Sequence, residues 1–294
     1  MTVDESFAAL GSTVRLIGSE PAVQRARDDV LDYHERLSRF LPTSELSALN
    51  ADARSTVPAS PLLRSAVRAG LWAAAFSRGL VDPCLLDALE AAGYARSYER
   101  STEINRPCGP FRAARPHPAA RWRQVRVDAD AGTITRPPGL RLDLGGTGKG
   151  HVADLVARQF AECCDWVVDA GGDIRVGGAR TIQVAHPLDE QPAAQLDVRD
   201  CAVATSSVVS RAWLRADGRP AHHLLDPHSG RPVRTGLLSA TAIAPTTVEA
   251  ETVAKVALLR GAAAARAALA GRGGVLVHED GTVETIGLSR EVAA

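Results

Sequence analysis

The run Asp143-Leu144-Gly145-Gly146-Thr147-Gly148-Lys149-Gly150-His151-Val152-Ala153-Asp154 sets four glycines and one lysine between an apolar strand signal and a helix signal. Such a run turns the backbone sharply from extended to helical. Glycines at the turn let N–H groups approach an anion, and the lysine adds a positive charge. Spacing excludes two familiar nucleotide geometries. A P-loop needs glycine five residues before the Gly-Lys pair and Ser or Thr directly after it, where this chain has Asp143 and Gly150. A dinucleotide fingerprint needs Gly-x-Gly-x-x-Gly, and Gly146-Thr147-Gly148-Lys149-Gly150-His151 brings its last glycine one position early. Alone, the run reads equally as a structural strand-to-helix turn.

Strand and helix signals alternate on both sides of it. Residues 13–17 read as a strand and 21–39 as an amphipathic helix that opens with proline in its first turn. A second helix is expected over 61–77. In the segment 105–122, Pro107, Pro110, Pro116 and Pro118 are too dense for helix or central strand, which predicts a mobile loop. Residues 124–128 and 132–136 predict a hairpin around Asp130-Ala131-Gly132, leading to the glycine turn and a helix over 150–161. Strands are expected at 166–169, 174–177, 181–185, 195–198, 202–205 and 237–244. Helices over 247–259 and 261–270 and a strand at 274–278 complete the pattern. No repeat period is visible. The expected fold class is α+β (mixed α/β), with mixed sheets flanked by helices, a nucleotide site in a cleft between them and one domain over residues 1–294.

Composition narrows the partners. Acidic and basic residues balance at 34 each, so no global field favours nucleic acid or an anionic membrane. No run is long enough to span a membrane. The acidic start Met1-Thr2-Val3-Asp4-Glu5 lacks a signal-peptide pattern and a lipoprotein cysteine, so a cytoplasmic location is expected. Cys84, Cys108, Cys163, Cys164 and Cys201 are odd in number and lack metal-site spacing, which predicts reduced thiols.

Three further constellations follow the glycine turn. Asp169-Ala170-Gly171-Gly172-Asp173-Ile174 reads by itself as a tight hairpin. Ala204-Thr205-Ser206-Ser207 offers hydroxyls at a strand end. His222-His223-Leu224-Leu225-Asp226-Pro227-His228-Ser229-Gly230 sets imidazoles against a carboxylate; adjacent His222 and His223 point to opposite faces of a strand, which makes them a poor metal pair. In this order and spacing the sites resemble the ApbE family of FAD:protein FMN transferases, in particular its actinobacterial-type members. The resemblance extends to Leu10-Gly11-Ser12-Thr13, Leu37-Ser38-Arg39-Phe40, Ser44-Glu45-Leu46-Ser47-Ala48-Leu49-Asn50, Val81-Asp82-Pro83-Cys84 and Leu89-Glu90-Ala91-Ala92-Gly93-Tyr94. Any one of these is weak; their ordered combination is specific.

The resemblance implies that FAD is split at its pyrophosphate, FMN is joined to a Ser or Thr hydroxyl of an acceptor flavoprotein, and AMP leaves. It places Gly145, Lys149, His151, Gly171, Gly172, Asp173, Thr205, Ser206, His223 and Leu224 against FAD, and His223 and Lys255 in catalytic roles. It also implies Mg2+, held by the carbonyl of Gly148 and by Glu251. The implied acceptor carries a Ser/Thr-Gly-Ala-Ser/Thr-type motif, absent from this chain, which argues against self-modification.

The chain departs from the family at the metal. Members often carry Ala-Asp-Ala-Leu-Ala-Thr-Ala on the late helix with Asp and Thr as ligands, whereas Ala250-Glu251-Thr252-Val253-Ala254-Lys255-Val256 puts Glu251 and Lys255 there. Residues four apart share a helix face, so both still reach one spot. Glutamate remains a hard oxygen ligand, but a protonated lysine cannot ligate a metal. Either the Lys255 ammonium neutralises pyrophosphate and partly replaces an ion, or the pair is a solvated helical ion pair. Cys84 stands in place of Thr and Ser207 in place of Gly. Two other functions stay open on these departures: an FAD-binding protein that transfers nothing, and an FAD pyrophosphatase giving FMN and AMP.

Overall fold

The computed structural model describes residues 1–96, 109–215 and 217–288. It opens with a strand that the sequence pattern does not reveal. β1 (Thr2–Ala9) pairs antiparallel with β2 (Ser12–Ser19) along its whole length. Its charged residues hide the period of two, with Val3, Glu5 and Phe7 half-buried and Asp4 and Ser6 exposed. Next, α1 (Glu20–Leu37) buries Ala22, Val23, Ala26, Val30, Tyr33 and Leu37 along one stripe, with Pro21 in its first turn. Then come α2 (Glu45–Ala51), β3 (Thr56–Pro58), α3 (Pro61–Phe76) and α4 (Leu86–Ala91). The side chain of Ser60 caps α3 by accepting from the Leu63 N–H.

The expected hairpin forms as β4 (Arg126–Asp128) and β5 (Thr133–Thr135), with β3 on the outer side of β5. Gln124 is not its first residue; it ends a 3-10 turn, Arg121–Gln124. Residues 105–108 of the proline-rich segment lie outside the described residues. Its described part is irregular but bonded to the core: the N–H groups of Arg112, Ala114 and Arg115 donate to Arg234 O, Leu259 O and Asp226 Oδ1. α5 (Gly148–Val156) starts two residues earlier than expected and tightens into a 3-10 turn, Ala157–Phe160, instead of continuing as α-helix to 161.

The remaining elements build the sheet. They are β6 (Trp166–Ala170), β7 (Asp173–Gly177), β8 (Ala179–Ala185), β9 (Pro192–Arg199), β10 (Ala202–Ser207), β11 (Ala212–Leu214), β12 (Pro220–His222), β13 (Leu225–Asp226), β14 (Arg231–Pro232) and β15 (Leu237–Ala244). α6 (Thr247–Arg260), α7 (Ala262–Leu269), β16 (Gly274–His278) and β17 (Val283–Ile286) follow. Eight strands form one antiparallel sheet in the order β1-β2-β6-β7-β10-β15-β16-β17. Alternation sorts its side chains into two cores. Val167, Val176, Val203 and Val275 pack with Val184, Leu196 and Val198 of the β8–β9 ribbon on one face. Val168 packs with α1 and α5, and Ala240, Ala242 and Leu276 with α6 and α7, on the other. This is the helix-and-sheet class expected from sequence, but the strand pairings, expected to form mixed sheets, are antiparallel throughout the described residues.

Candidate functional site

On α5 each successive residue is rotated by about 100°, so three neighbours serve three elements. Lys149 faces the sheet: its Nζ lies 2.7 Å from Asp173 Oδ2 at the start of β7 and donates to Gly171 O at 3.2 Å. Gly150 faces α6, where its N–H donates to Glu251 Oε2 at 2.9 Å. A Cβ at Gly150 would stand 2.7 Å from that oxygen and 2.9 Å from the Thr247 backbone, so only glycine lets the two helices meet this closely. Asp154, one turn on, accepts from the N–H groups of Thr247 (2.8 Å) and Val248 (3.0 Å) and closes the N-terminus of α6.

His151 faces the other way. Its Nε2 meets Ser65 Oγ at 2.9 Å and its Nδ1 meets Tyr33 OH at 3.2 Å. Burial pushes its pKa down to about 4, so the ring is neutral and both nitrogens are engaged inside the protein. This places His151 as a brace between α1, α3 and α5, and leaves it no free nitrogen for a ligand.

The turn between β6 and β7 closes opposite Lys149. Gly171 and Gly172 adopt φ of 71° and 91°, in the left-handed region, and the Gly172 N–H donates to Asp169 Oδ1 at 2.7 Å. A Cβ at Gly172 would meet nothing within 4 Å, so backbone here borders open space. Asp173 is buried, whereas Thr205 belongs to the opposite face: its Oγ1 bonds Thr241 Oγ1 at 2.9 Å, and only its backbone N–H, donating to Gly172 O at 3.2 Å, touches the turn. Ser206 alternates back to the helix side and is buried.

At the mouth of the first turn, Asp143 Oδ1 accepts from the Gly145 N–H at 2.9 Å and Oδ2 pairs with Arg39 Nε at 2.5 Å. The Arg39 guanidinium lies 4.1 Å from the centroid of Phe40 and 4.7 Å from that of Tyr94. Arg39 and Tyr33 were passed over as site residues; Leu37-Ser38-Arg39-Phe40 was the signal that could have found the first.

His222 and His223 separate as expected. His222 is buried and structural, with Nε2 at 2.9 Å from Val233 O and Nδ1 accepting from the Leu224 N–H. Leu224 itself is buried in the core beneath α6. His223 donates from Nδ1 to Arg211 O at 3.4 Å, since a carbonyl can only accept. That fixes the tautomer and leaves Nε2 as the bare acceptor, without a hydrogen bond among the described residues. Burial, followed by the charge of Arg211, His222 and Lys255, holds its pKa well below the ordinary value.

Glu251 and Lys255 are not a solvated pair. Glu251 is 0% exposed and Lys255 8%, and Nζ meets Oε1 at 2.8 Å. Burial raises the Glu251 pKa, and the positive charge of Lys255 opposes the rise. With Gly150 on Oε2 and Lys255 on Oε1, each carboxylate oxygen already accepts one hydrogen bond. These residues do not fit the magnesium ion that the resemblance implies. An ion ligated by Glu251 would sit beside the ammonium, and charges of +2 and +1 about 4 Å apart repel by roughly 8 kcal/mol at an effective dielectric constant of about 20. Thr247 Oγ1, buried and without a partner, adds one neutral oxygen, too few for an octahedral set. No group of three or more His, Cys, Asp or Glu side chains suited to a metal occurs among the described residues.

The profile of the ApbE family matches residues 10–277. The chain belongs to the ApbE family. Relatives include an FAD:protein FMN transferase of Treponema pallidum, 33% identical over 141 residues, which cover 42% of this chain and 39% of that protein. Another, of Chlamydia trachomatis, is 29% identical over 71% of this chain and 66% of its own length. The chain thus spans less than half of the first relative and about two thirds of the second. The crystal structure of an ApbE protein of Thermotoga maritima superimposes with a TM-score of 0.78 over 97% of both chains at 23% identity, which establishes the ApbE fold.

Proposed function

We propose that the chain is an FAD:protein FMN transferase acting on a Ser or Thr hydroxyl of an acceptor flavoprotein. The observation that carries this reading is the convergence of two lysines and two glycine turns on one end of the sheet. Lys149 and Lys255, each paired with a buried carboxylate but with N–H donors to spare, and the open backbone at Gly172 line a place for a pyrophosphate. The names of the relatives supply the reaction class. Gly171 and Asp173 shape the cradle, Ser206 and Leu224 back it from inside, and Thr205 contributes backbone only. His151 acts by bracing α5.

The acceptor hydroxyl oxygen forms a bond to the FMN phosphorus, the bond from that phosphorus to the bridging oxygen breaks, and the bridging oxygen leaves on AMP. The hydroxyl proton passes to His223 Nε2, the ring nitrogen whose lone pair the Nδ1 bond to Arg211 O leaves free. Mixing the chain with FAD and an acceptor peptide bearing a Thr-Gly-Ala-Thr-type motif should give equimolar AMP and covalently fluorescent acceptor. AMP with FMN left free would instead establish a pyrophosphatase, and bound FAD with neither product a binding protein.

A further inference from the structure

We propose that Lys255 takes the place of the divalent cation in this chain: its ammonium faces the pyrophosphate as a built-in positive charge, and its pairing with Glu251 excludes a metal ion. This deepens the function proposed above and rests on it for the identity of the anion. An ammonium has three N–H donors and no acceptor. One is spent on Glu251 Oε1 at 2.8 Å, which leaves two, and the Lys255 side chain keeps 10% of its surface exposed while Glu251 keeps none. The carboxylate is therefore the buried anchor and the ammonium the end that reaches outward. Gly150 holds Oε2 and so fixes the carboxylate from the other side. Lys149 repeats the arrangement on Asp173, with one N–H also given to Gly171 O. Each lysine is matched by one buried carboxylate, so the two pairs are close to neutral and can accept an anion that uses the remaining donors.

The arrangement also gives the lysine's departure from the family pattern a rationale in charge. A ligand carboxylate beside a neutral Thr hydroxyl leaves room and charge for an ion. The same carboxylate beside a lysine has already received its cation, covalently tethered one turn along the helix.

The full chain can be titrated with Mn2+ alone, followed by electron paramagnetic resonance, and with FAD, followed by flavin fluorescence, in chelator or in magnesium. The expected result is no stoichiometric Mn2+ site and an FAD affinity that differs by less than about twofold between the two conditions. Lys255→Thr is expected to gain one Mn2+ site and to recover FAD affinity only with metal present. Lys255→Ala, and the double variant Glu251→Gln with Lys255→Gln that orphans no buried charge, should each weaken FAD binding about tenfold or more. One Mn2+ bound by the native chain, loss of its FAD affinity in chelator, or unchanged affinity in the double variant would overturn the inference. FAD bound with this pattern but no AMP released supports the inference while refuting the transferase reading; no FAD binding by the native chain in either condition refutes both.

Discussion

At the scale of single residues, the site depends on a few backbone and protonation states. Gly171 has φ of +71°, and a Cβ there would lie 2.0 Å from Ser12 Oγ. Gly171→Ala therefore combines left-handed strain with a collision against β2, and a loss of ~1–3 kcal/mol is expected in urea unfolding. Gly172→Ala carries the strain without the collision, so it should cost less stability and act mainly on FAD binding. His223→Ala should lower transfer by about 100-fold or more while FAD affinity changes little, measured as AMP release against fluorescence titration. Because the folded pKa of His223 lies well below the ordinary value, its imidazole stays neutral as pH falls through the usual histidine range. The transfer rate is accordingly expected to stay flat from neutral pH through about 6.5, where an unperturbed histidine base would already lose activity.

At the scale of elements, α5 and α6 form the rigid unit beneath the site. Asp154 supplies the two N–H acceptors that α6 lacks at its start, alongside Thr246, whose hydroxyl accepts from the Glu249 N–H. Asp154→Ala should cost ~1–2 kcal/mol by denaturant unfolding, and Asp154→Asn less, since the amide oxygen can still accept one bond. Much of this unit was legible in the sequence. The glycine run fixed the entry to α5, and 247–259 falls within one residue of the observed α6. The burial of Glu251 and Lys255 was not legible, because an i, i+4 Glu-Lys pair is the commonest pattern of a solvated helix face and only the packing of α5 says otherwise. The role of His151 was hidden for a similar reason: its partners Tyr33 and Ser65 are 118 and 86 residues away.

At the scale of the whole molecule, buried neutral histidines tie stability to pH. His151 and His222 both fall to about 4 on burial, from an ordinary value of 6.5. Between these values the unfolded chain binds more protons than the folded one, so stability is fully present above pH 6.5 and declines as pH falls toward 4. Each histidine contributes up to ~3 kcal/mol to that decline. Thermal unfolding followed from pH 7 to pH 4 should show Tm falling across this window, and replacing His151 by Gln should flatten the curve. The sheet's edges, β1 and β17, were poorly legible, since amphipathic edge strands carry polar and charged residues between their apolar ones. The contact of Gly150 with Glu251 spans 101 residues of chain. Closing so large a loop carries an entropic cost, and during synthesis residue 150 emerges before the helix it meets. On the proposed reading a chain without α6 in place lacks Glu251 and Lys255, so nucleotide binding would report completion of the fold.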